Sequence, residues 1–429
     1  MRGFTRWGWL AGGVAVAGLC LLAGLLVANF VGGETKIERR IERLHALEDP
    51  RFFHELGVLL GPPFLPGTRV RALLNGDEIF PPMLAAIRSA QVSITFETYI
   101  YWSGDIGSEF ANALAERARQ GVKVHVLLDW MGSLKMDDSL VQLMTQAGVQ
   151  VQRFHPPHWS NWGRMNNRTH RKLLVVDGRV GFTGGVGVAP QWTGHAQDPD
   201  HWRDTHFEIE GPVVAQMQSV FIDNWIKVTG LVLHGPDYFP VLQAAGPAQA
   251  QMFSSSPSGG SESMQLMYLL TVTAASRSID LSAAYFVPDD LTLKALRDAL
   301  KRGVRLRIVV PGKHIDSDTV RMASRATWGP LLQAGATIAE YGPTMYHSKL
   351  MIVDGLLTSV GSTNFDNRSF RLNDEATLNI VDSAFASAQT ATFEADLALA
   401  HRVSYAEWQA RPARERFIEW LASLLGTQL

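Results

Sequence analysis

Two short stretches of this chain repeat the same polar residues at the same spacing. One is His170-Arg-Lys172 with Asp177 five residues on, and the other is His347-Ser-Lys349 with Asp354. With this composition, one His-x-Lys-x4-Asp match arises by chance in about 0.01 of such chains, so a second in a matching place carries strong information. Imidazole titrates near neutral pH and can act as nucleophile, general base or general acid. An ammonium two residues away can hold an anionic group. On a strand, residues two apart share a face, so each His points with its Lys while the apolar run behind them enters the core. Both motifs end in Asp-Gly, a pair that turns the chain. For Asp177 and Asp354, a catalytic role and a structural one at the turn are both open.

The elements that must position these motifs are also duplicated. Residues 92–101 and 121–128 read as strands around a helical stretch, and residues 278–286 and 303–310 repeat that order. Ile94 and Ile279 lie 185 positions apart, Gly121 and Gly303 182 apart. Strand, helix and strand imply parallel pairing by right-handed crossover, and a period this long means duplicated domains rather than a solenoid. The seam is expected between Gly230 and Gly260, where Gly, Pro and Ser accumulate.

A chain of 429 residues suits two domains of about 150–200 residues each. At 46% hydrophobic and 19% charged it can bury large cores. Its 39 basic and 41 acidic side chains nearly cancel, which argues against a nucleic-acid partner. A single cysteine, Cys20, excludes a disulfide framework and a cysteine-based zinc site. His155, His158, Asp198, Asp200 and His201 read as loop residues, so no metal is expected. Residues 7–33 are an uncharged stretch of 27, longer than the about 20 that span a bilayer, and no convincing cleavage site follows. An uncleaved transmembrane anchor is expected. Arg2 and Arg6 flank one end and Lys36, Arg39, Arg40 and Arg43 the other, which leaves the side of the membrane open.

Residues 35–47 show helical periodicity through Ile37, Ile41 and Leu44. At the other end, Phe417, Ile418, Trp420, Leu421, Leu424 and Leu425 form mostly one helical stripe after Arg411, Arg414 and Arg416. Such a stripe fits an anionic lipid surface or a protein core. The expected division is an anchor at 1–33, a juxtamembrane helix and linker at 34–68, duplicated domains at 69–240 and 241–405, and an amphipathic helix at 406–429.

From about Arg71 onward the sequence resembles the phospholipase D superfamily, and within it the bacterial cardiolipin synthases. The resemblance rests on the two motifs, on Asn75-Gly-Asp-Glu-Ile-Phe80, on Glu97-Thr-Tyr99-Ile-Tyr101 and on Ala284-Tyr-Phe-Val-Pro-Asp289. It continues through Gly361-Ser362-Thr-Asn364-Phe-Asp366-Asn-Arg368-Ser369 and Asn373-Asp-Glu375. The first copy departs from the family, with Gly187 where asparagine is usual. The resemblance implies an α/β fold of two tandem phospholipase D-like α/β/α sandwich domains with pseudo-twofold symmetry, sharing one cleft. It implies that Asn364 and Ser362 hold phosphate or orient their neighbours. Glu375, 28 residues after His347, and Asp204, 34 residues after His170, are the carboxylates expected to orient the histidines.

Phosphodiester cleavage needs a nucleophile, charge neutralisation and a proton for the leaving oxygen. One neutral imidazole would attack phosphorus to form a phosphohistidine, and the other, protonated, would donate to the leaving group. Lys172 and Lys349 would hold the non-bridging oxygens, with no cofactor. The family more often uses its N-terminal histidine as nucleophile, which points to His170. The expected function is a phosphatidyltransferase anchored in the bacterial inner membrane, making cardiolipin from phosphatidylglycerol or a related phospholipid. The alternatives are a phospholipase D that passes the intermediate to water, a phosphodiesterase or nuclease, and a non-catalytic membrane scaffold.

Overall fold

Short apolar, β-branched runs build the frame, and the most central of them are buried on both faces. Ser93–Thr98 and Leu173–Val176 are buried at every position. The computed structural model describes residues 12–22, 24, 37, 39–156, 167–257 and 263–426. The first half of the chain contributes β1 (Leu65–Leu74), β2 (Ser93–Thr98), β3 (Lys123–Asp129), β4 (Gln150–Phe154), β5 (Arg168–Thr169), β6 (Leu173–Val176), β7 (Val180–Gly184) and β8 (Thr205–Glu210). The second contributes β9 (Ala248–Ser255), β10 (Ser278–Ala283), β11 (Phe286–Val287), β12 (Arg305–Pro311), β13 (Thr337–Tyr341), β14 (Lys349–Val353), β15 (Leu357–Gly361), β16 (Phe365–Asp366), β17 (Asn373–Val381) and β18 (Ala400–Val403).

One mixed sheet runs in the order β18-β13-β12-β10-β14-β15-β17-β9-β1-β8-β7-β6-β2-β3-β4, with β5 beside β17. The parallel pairs expected from the two strand–helix–strand units are present. Ile94 lies opposite Val124 in β2–β3, and Ile279 opposite Leu306 in β10–β12. Outward from the central β1–β9 pair, the strands follow as 8-7-6-2-3-4 on one side and 17-15-14-10-12-13-18 on the other. β6 and β14, which carry the motifs, therefore stand between a hairpin partner and the first parallel strand of their own half.

Alternation along β6 divides its side chains between two layers, as a strand's period of two requires. Leu174 and Val176 join a core with Phe96, Phe110 and Val124. Leu173 and Val175 join another with Phe221 and Trp225 of the helix Val214–Thr229. That second core continues through Met252, Tyr346, Ile352 and Phe393, so apolar packing joins the two halves. Of residues 230–260, where the seam is expected, 230–247 run without helix or strand, 248–255 form β9, and 258–260 lie outside the described residues.

One sequence expectation needs amending. The helix expected at 35–47 is absent from residues 37 and 39–46. Arg43 instead donates to Ser276 Oγ at 2.7 Å, Arg40 pairs with Asp298 at 3.4 Å, and Leu47 is buried in the second-half core. These tertiary contacts outweigh a short helix that is costly to nucleate. The helix begins at Pro50, where the Asp49 side chain accepts from Arg51 N. Of the expected anchor, residues 12–22 and 24 are helical and the rest lies outside the described residues. Among the described residues, no helix is long and apolar enough to cross a membrane.

His125 in β3 is buried, with Nε2 2.8 Å from Tyr238 Oη and its ring edge-on to Trp225. Burial, with help from Lys123 and against a hydrogen bond to Gln150, lowers its pKa from 6.5 to about 4. Between those values the unfolded chain takes up a proton that the folded one refuses, so this contribution to stability is present above pH 6.5 and lost as pH falls toward 4. His125→Gln should reduce the acid-induced loss of stability in that window by up to about 1.4 kcal/mol per pH unit, read from urea midpoints.

Candidate active site

The residues just before β6 and β14 meet at one cavity of about 360 Å³. His170, Lys172 and His347 line it, together with Tyr99, Trp102, Trp192, Trp202 and Tyr285. Backbone pairing across the halves fixes both histidines. His170 N donates to Asp374 O at 2.9 Å, and His347 N donates to Arg203 O at 2.8 Å. In each motif the lysine turns back: Lys172 Nζ donates to His170 O and Lys349 Nζ to His347 O, both at 2.8 Å. Lys349 Nζ also stands 3.1 and 3.2 Å from the His347 ring nitrogens.

The orienting carboxylates are Glu375 and Asp204, and each serves the histidine of the opposite half. Glu375 lies 2.9 and 3.0 Å from His170 Nδ1, whereas Asp204 Oδ2 lies 2.7 Å from His347 Nδ1. Each acid is thus nearer in sequence to the wrong histidine. Ser362 Oγ donates to Glu375, and Asn373 Nδ2 does so at 3.4 Å. Asp204 receives Trp192 Nε1 at 2.9 Å and Thr205 N at 2.8 Å. The glycines of the first half have a steric reason here. A Cβ on Gly185, the counterpart of Ser362, would stand 2.2 Å from Asp204 Oδ1, and one on Gly187 would stand 2.8 Å from Ile100 Cβ. Asn364 lines the cavity, and its buried Oδ1 has no partner among the described residues.

Of the two roles open for Asp177 and Asp354, the hydrogen bonds they make are those of turn residues. Asp177 accepts the backbone N–H groups of Gln91, Val92 and Ser93, and Asp354 those of Ser276, Arg277 and Ser278. Both have positive φ, 53° and 55°, as an Asp-Gly turn favours. The buried strands β6 and β14 separate them from their histidines, so they anchor the far end of each motif.

Crowding sets the charge states. Burial, then Lys172, Lys349 and Arg368, holds the His170 pKa well below that of free imidazole. Burial and Lys349 lower His347 to about 4 against the pull of Asp204. Lys172 falls to about 7 through burial and Lys349, and burial lowers Lys349 to about 8. Burial raises Glu375 to about 7 despite Lys172 and Ser362. Burial opposes ionisation of Asp204 too, but His347, Lys349 and the Trp192 indole outweigh it and hold the carboxyl below its usual value.

Several site residues escaped the sequence reading. Trp192 carries no motif, and its indole N–H becomes meaningful only beside Asp204. Arg168 and Asp316 also line the cavity and stood in no recognised pattern. Arg171, the variable residue of its motif, is fully buried and donates to Val220 O, Asp223, Ser255 O and Glu375 O. Nothing in the sequence distinguishes it from an exposed arginine. Among the described residues, no group of His, Cys, Asp and Glu could hold a metal ion.

Two His–Lys pairs backed by carboxylates at one cavity of a mixed α/β fold define a phospholipase D-like enzyme. Residues 83–225 and 268–397 match the family described as cardiolipin synthase, PLD-like domain, and the chain belongs to that family. It is 35% identical over 395 residues to the cardiolipin synthase of Geobacillus kaustophilus (strain HTA426), covering 91% of this chain and 78% of the relative. It is 36% identical over 350 residues to cardiolipin synthase A of Pseudomonas fluorescens (strain SBW25), covering 80% and 72%. The crystal structure of phosphatidylserine synthase from Haemophilus influenzae Rd KW20 matches the fold with a TM-score of 0.70. That match covers 88% of this chain and 100% of the other at 13% identity. The protein is a phospholipase D-type phosphatidyltransferase.

Trp192→Phe keeps an aromatic ring beside His347 but removes the donor to Asp204. A hydrogen bond to a charged group contributes about 1.5–3 kcal/mol, so turnover should fall roughly tenfold or more. Gly185→Ala should be worse, because its methyl group displaces the carboxylate itself. Steady-state kinetics alongside thermal melts check both; wild-type turnover in either variant would contradict this reading of Asp204.

Proposed function

We propose that the protein is a membrane-anchored phosphatidyltransferase that makes cardiolipin from phosphatidylglycerol or a related phospholipid through a phosphohistidine. The observation that carries this reading is the pair of imidazoles at one cavity, each with Nδ1 on a carboxylate of the opposite half. Relatives named cardiolipin synthase, similar over most of the chain, support the choice of product. On this reading, residues 69–240 and 241–405 are duplicated phospholipase D-like domains related by a pseudo-twofold axis, and residues 7–33 are the anchor.

His170 is the nucleophile. Burial and the surrounding cations keep its imidazole neutral, and a neutral imidazole has the free electron pair that attack requires. Its Nε2 bonds to phosphorus of the donor lipid as the bond to the leaving glycerol oxygen breaks. His347, held by the ionised Asp204, gives that oxygen its proton. The approaching phosphate anion raises the affinity of His347 for that proton. In the second half-reaction a hydroxyl of the acceptor lipid returns a proton to His347, its oxygen bonds to phosphorus, and the phosphorus–nitrogen bond breaks. Lys172 and Lys349 hold the non-bridging oxygens throughout.

Purified protein given phosphatidylglycerol vesicles should yield cardiolipin and glycerol; phosphatidic acid instead would mean hydrolysis. His170→Ala should abolish both turnover and any acid-labile, base-stable phosphoenzyme. His347→Ala should still accumulate phosphoenzyme from a nitrophenyl ester of phosphatidic acid, whose leaving group needs no proton. Because the carboxylates cross, Asp204→Asn should follow the His347 pattern and Glu375→Gln the His170 pattern, each lowering turnover by about 10²–10⁴-fold. A phosphoryl group mapped to His347 in the His170→Ala protein would reverse the assignment.

A further inference from the structure

The helix Ala413–Ser423 is mounted with its apolar stripe facing outward. Phe417, Trp420, Leu421, Leu424 and Leu425 follow the i, i+3, i+4, i+7, i+8 spacing that normally faces a core. They are nevertheless 57%, 52%, 44%, 60% and 52% exposed. The inward side carries Glu419, paired with Arg411 and Arg325, and Ala422. Ala422 packs with Val287, Val320 and Ala323, and Val320 itself lines the active-site cavity. Asn367 Nδ2 also ties Gly426 O to the segment carrying Asp366 and Arg368, which both line that cavity. The stripe is therefore fixed to one wall of the cleft.

The loop after β3 carries a smaller apolar tip. In it, Leu134 is 64% and Met131 38% exposed, and Lys135 lies over the ring of Trp102, another cavity residue. The helix tip is bordered by exposed Arg414 and Arg416 with Glu415 between them, and the loop tip by exposed Lys135 with Asp137 and Asp138 beyond it. Exposed apolar side chains beside a cleft that takes phospholipid, with an excess of basic charge on the helix, match an interfacial membrane surface.

We propose that the outward stripe of the helix Ala413–Ser423 and the Met131–Leu134 loop tip dock on a bilayer containing anionic phospholipid. In that pose the cleft mouth rests against the headgroups, and a lipid phosphate enters without its chains leaving the membrane. This rests on the phospholipid reading of the site.

The test uses the full-length chain with Cys20→Ser and one introduced cysteine carrying an environment-sensitive dye. Positions are Leu424→Cys, Leu134→Cys and, on the exposed face of a distant helix, Ala388→Cys. Vesicles of phosphatidylglycerol and phosphatidylcholine should shift the dye to the blue at 424 and 134 and not at 388, with quenching by a bilayer-borne quencher. Trp420→Glu with Leu424→Glu should lower the ratio of turnover on vesicles to turnover on dispersed short-chain phosphatidylglycerol at least tenfold. Dyes at 424 and 134 that stay in water while the protein turns over vesicle lipid overturn the docking and leave the enzymatic reading standing. Dyes that insert in a protein that turns over no phospholipid support the docking and overturn the enzymatic reading. A shift that appears without vesicles and grows with protein concentration assigns the stripe to a second copy of the chain and overturns the proposal.

Discussion

The crossing of carboxylates between the halves is the constraint on which the site depends. Glu375 sits in β17 of the second half and orients His170 of the first; Asp204 of the first orients His347 of the second. Buried arginines reinforce the exchange. Arg171 bonds to Asp223 in its own half and reaches Ser255 O and Glu375 O in the other, while Arg203 is held bidentately by Asp396 at 2.9 Å to each oxygen. Removing one partner of such a pair leaves a buried charge uncompensated, at a cost of about 3–5 kcal/mol. Neither motif is complete within its own half, so the chemistry requires both halves to pack in one register.

That packing also concentrates charge. Lys172, Lys349, Arg168 and Arg368 lie close enough to oppose one another's protonation or that of His170, and burial adds to the effect. The lysines are driven to about 7 and 8, so near neutral pH the cleft is near its limit for positive charge. On the proposed reading, a phosphodiester anion would relieve this, favouring the charged form of the lysines and of His347 that the empty cleft disfavours. Substrate entry and the charge state needed for catalysis would then be coupled.

Much of this was legible in the sequence because it was written twice with local spacing. Strand periodicity located β2, β3, β10 and β12, and the paired His-x-Lys motifs located the cavity. What escaped was non-local. The link between Asp204 and His347 spans 143 positions, and that between Glu375 and His170 spans 205, so sequence proximity suggested the opposite pairing. Asp177 and Asp354 illustrate the reverse problem. Their regular spacing was visible, but only their backbone partners show that the regularity belongs to a turn. At residues 35–47 a weak helical pattern lost to contacts with residues 274, 276 and 298, which no local signal announces.

Similar frames need not give identical chemistry, and the differences here come from small residues. In the second half Ser362 places a hydroxyl on Glu375, a longer acid that burial can still push toward neutrality. In the first half Gly185 leaves room for the shorter Asp204 to approach, and Trp192 supplies the donor that serine cannot. The result is one carboxyl raised to about 7 and another held below its usual value, each against a buried imidazole. On the proposed reading, this inequality is what lets two imidazoles at one phosphate take different roles. Matched halves would present two equivalent imidazoles to one phosphate. The glycines that break the pattern of the first motif are therefore part of how a duplicated scaffold can assign two roles.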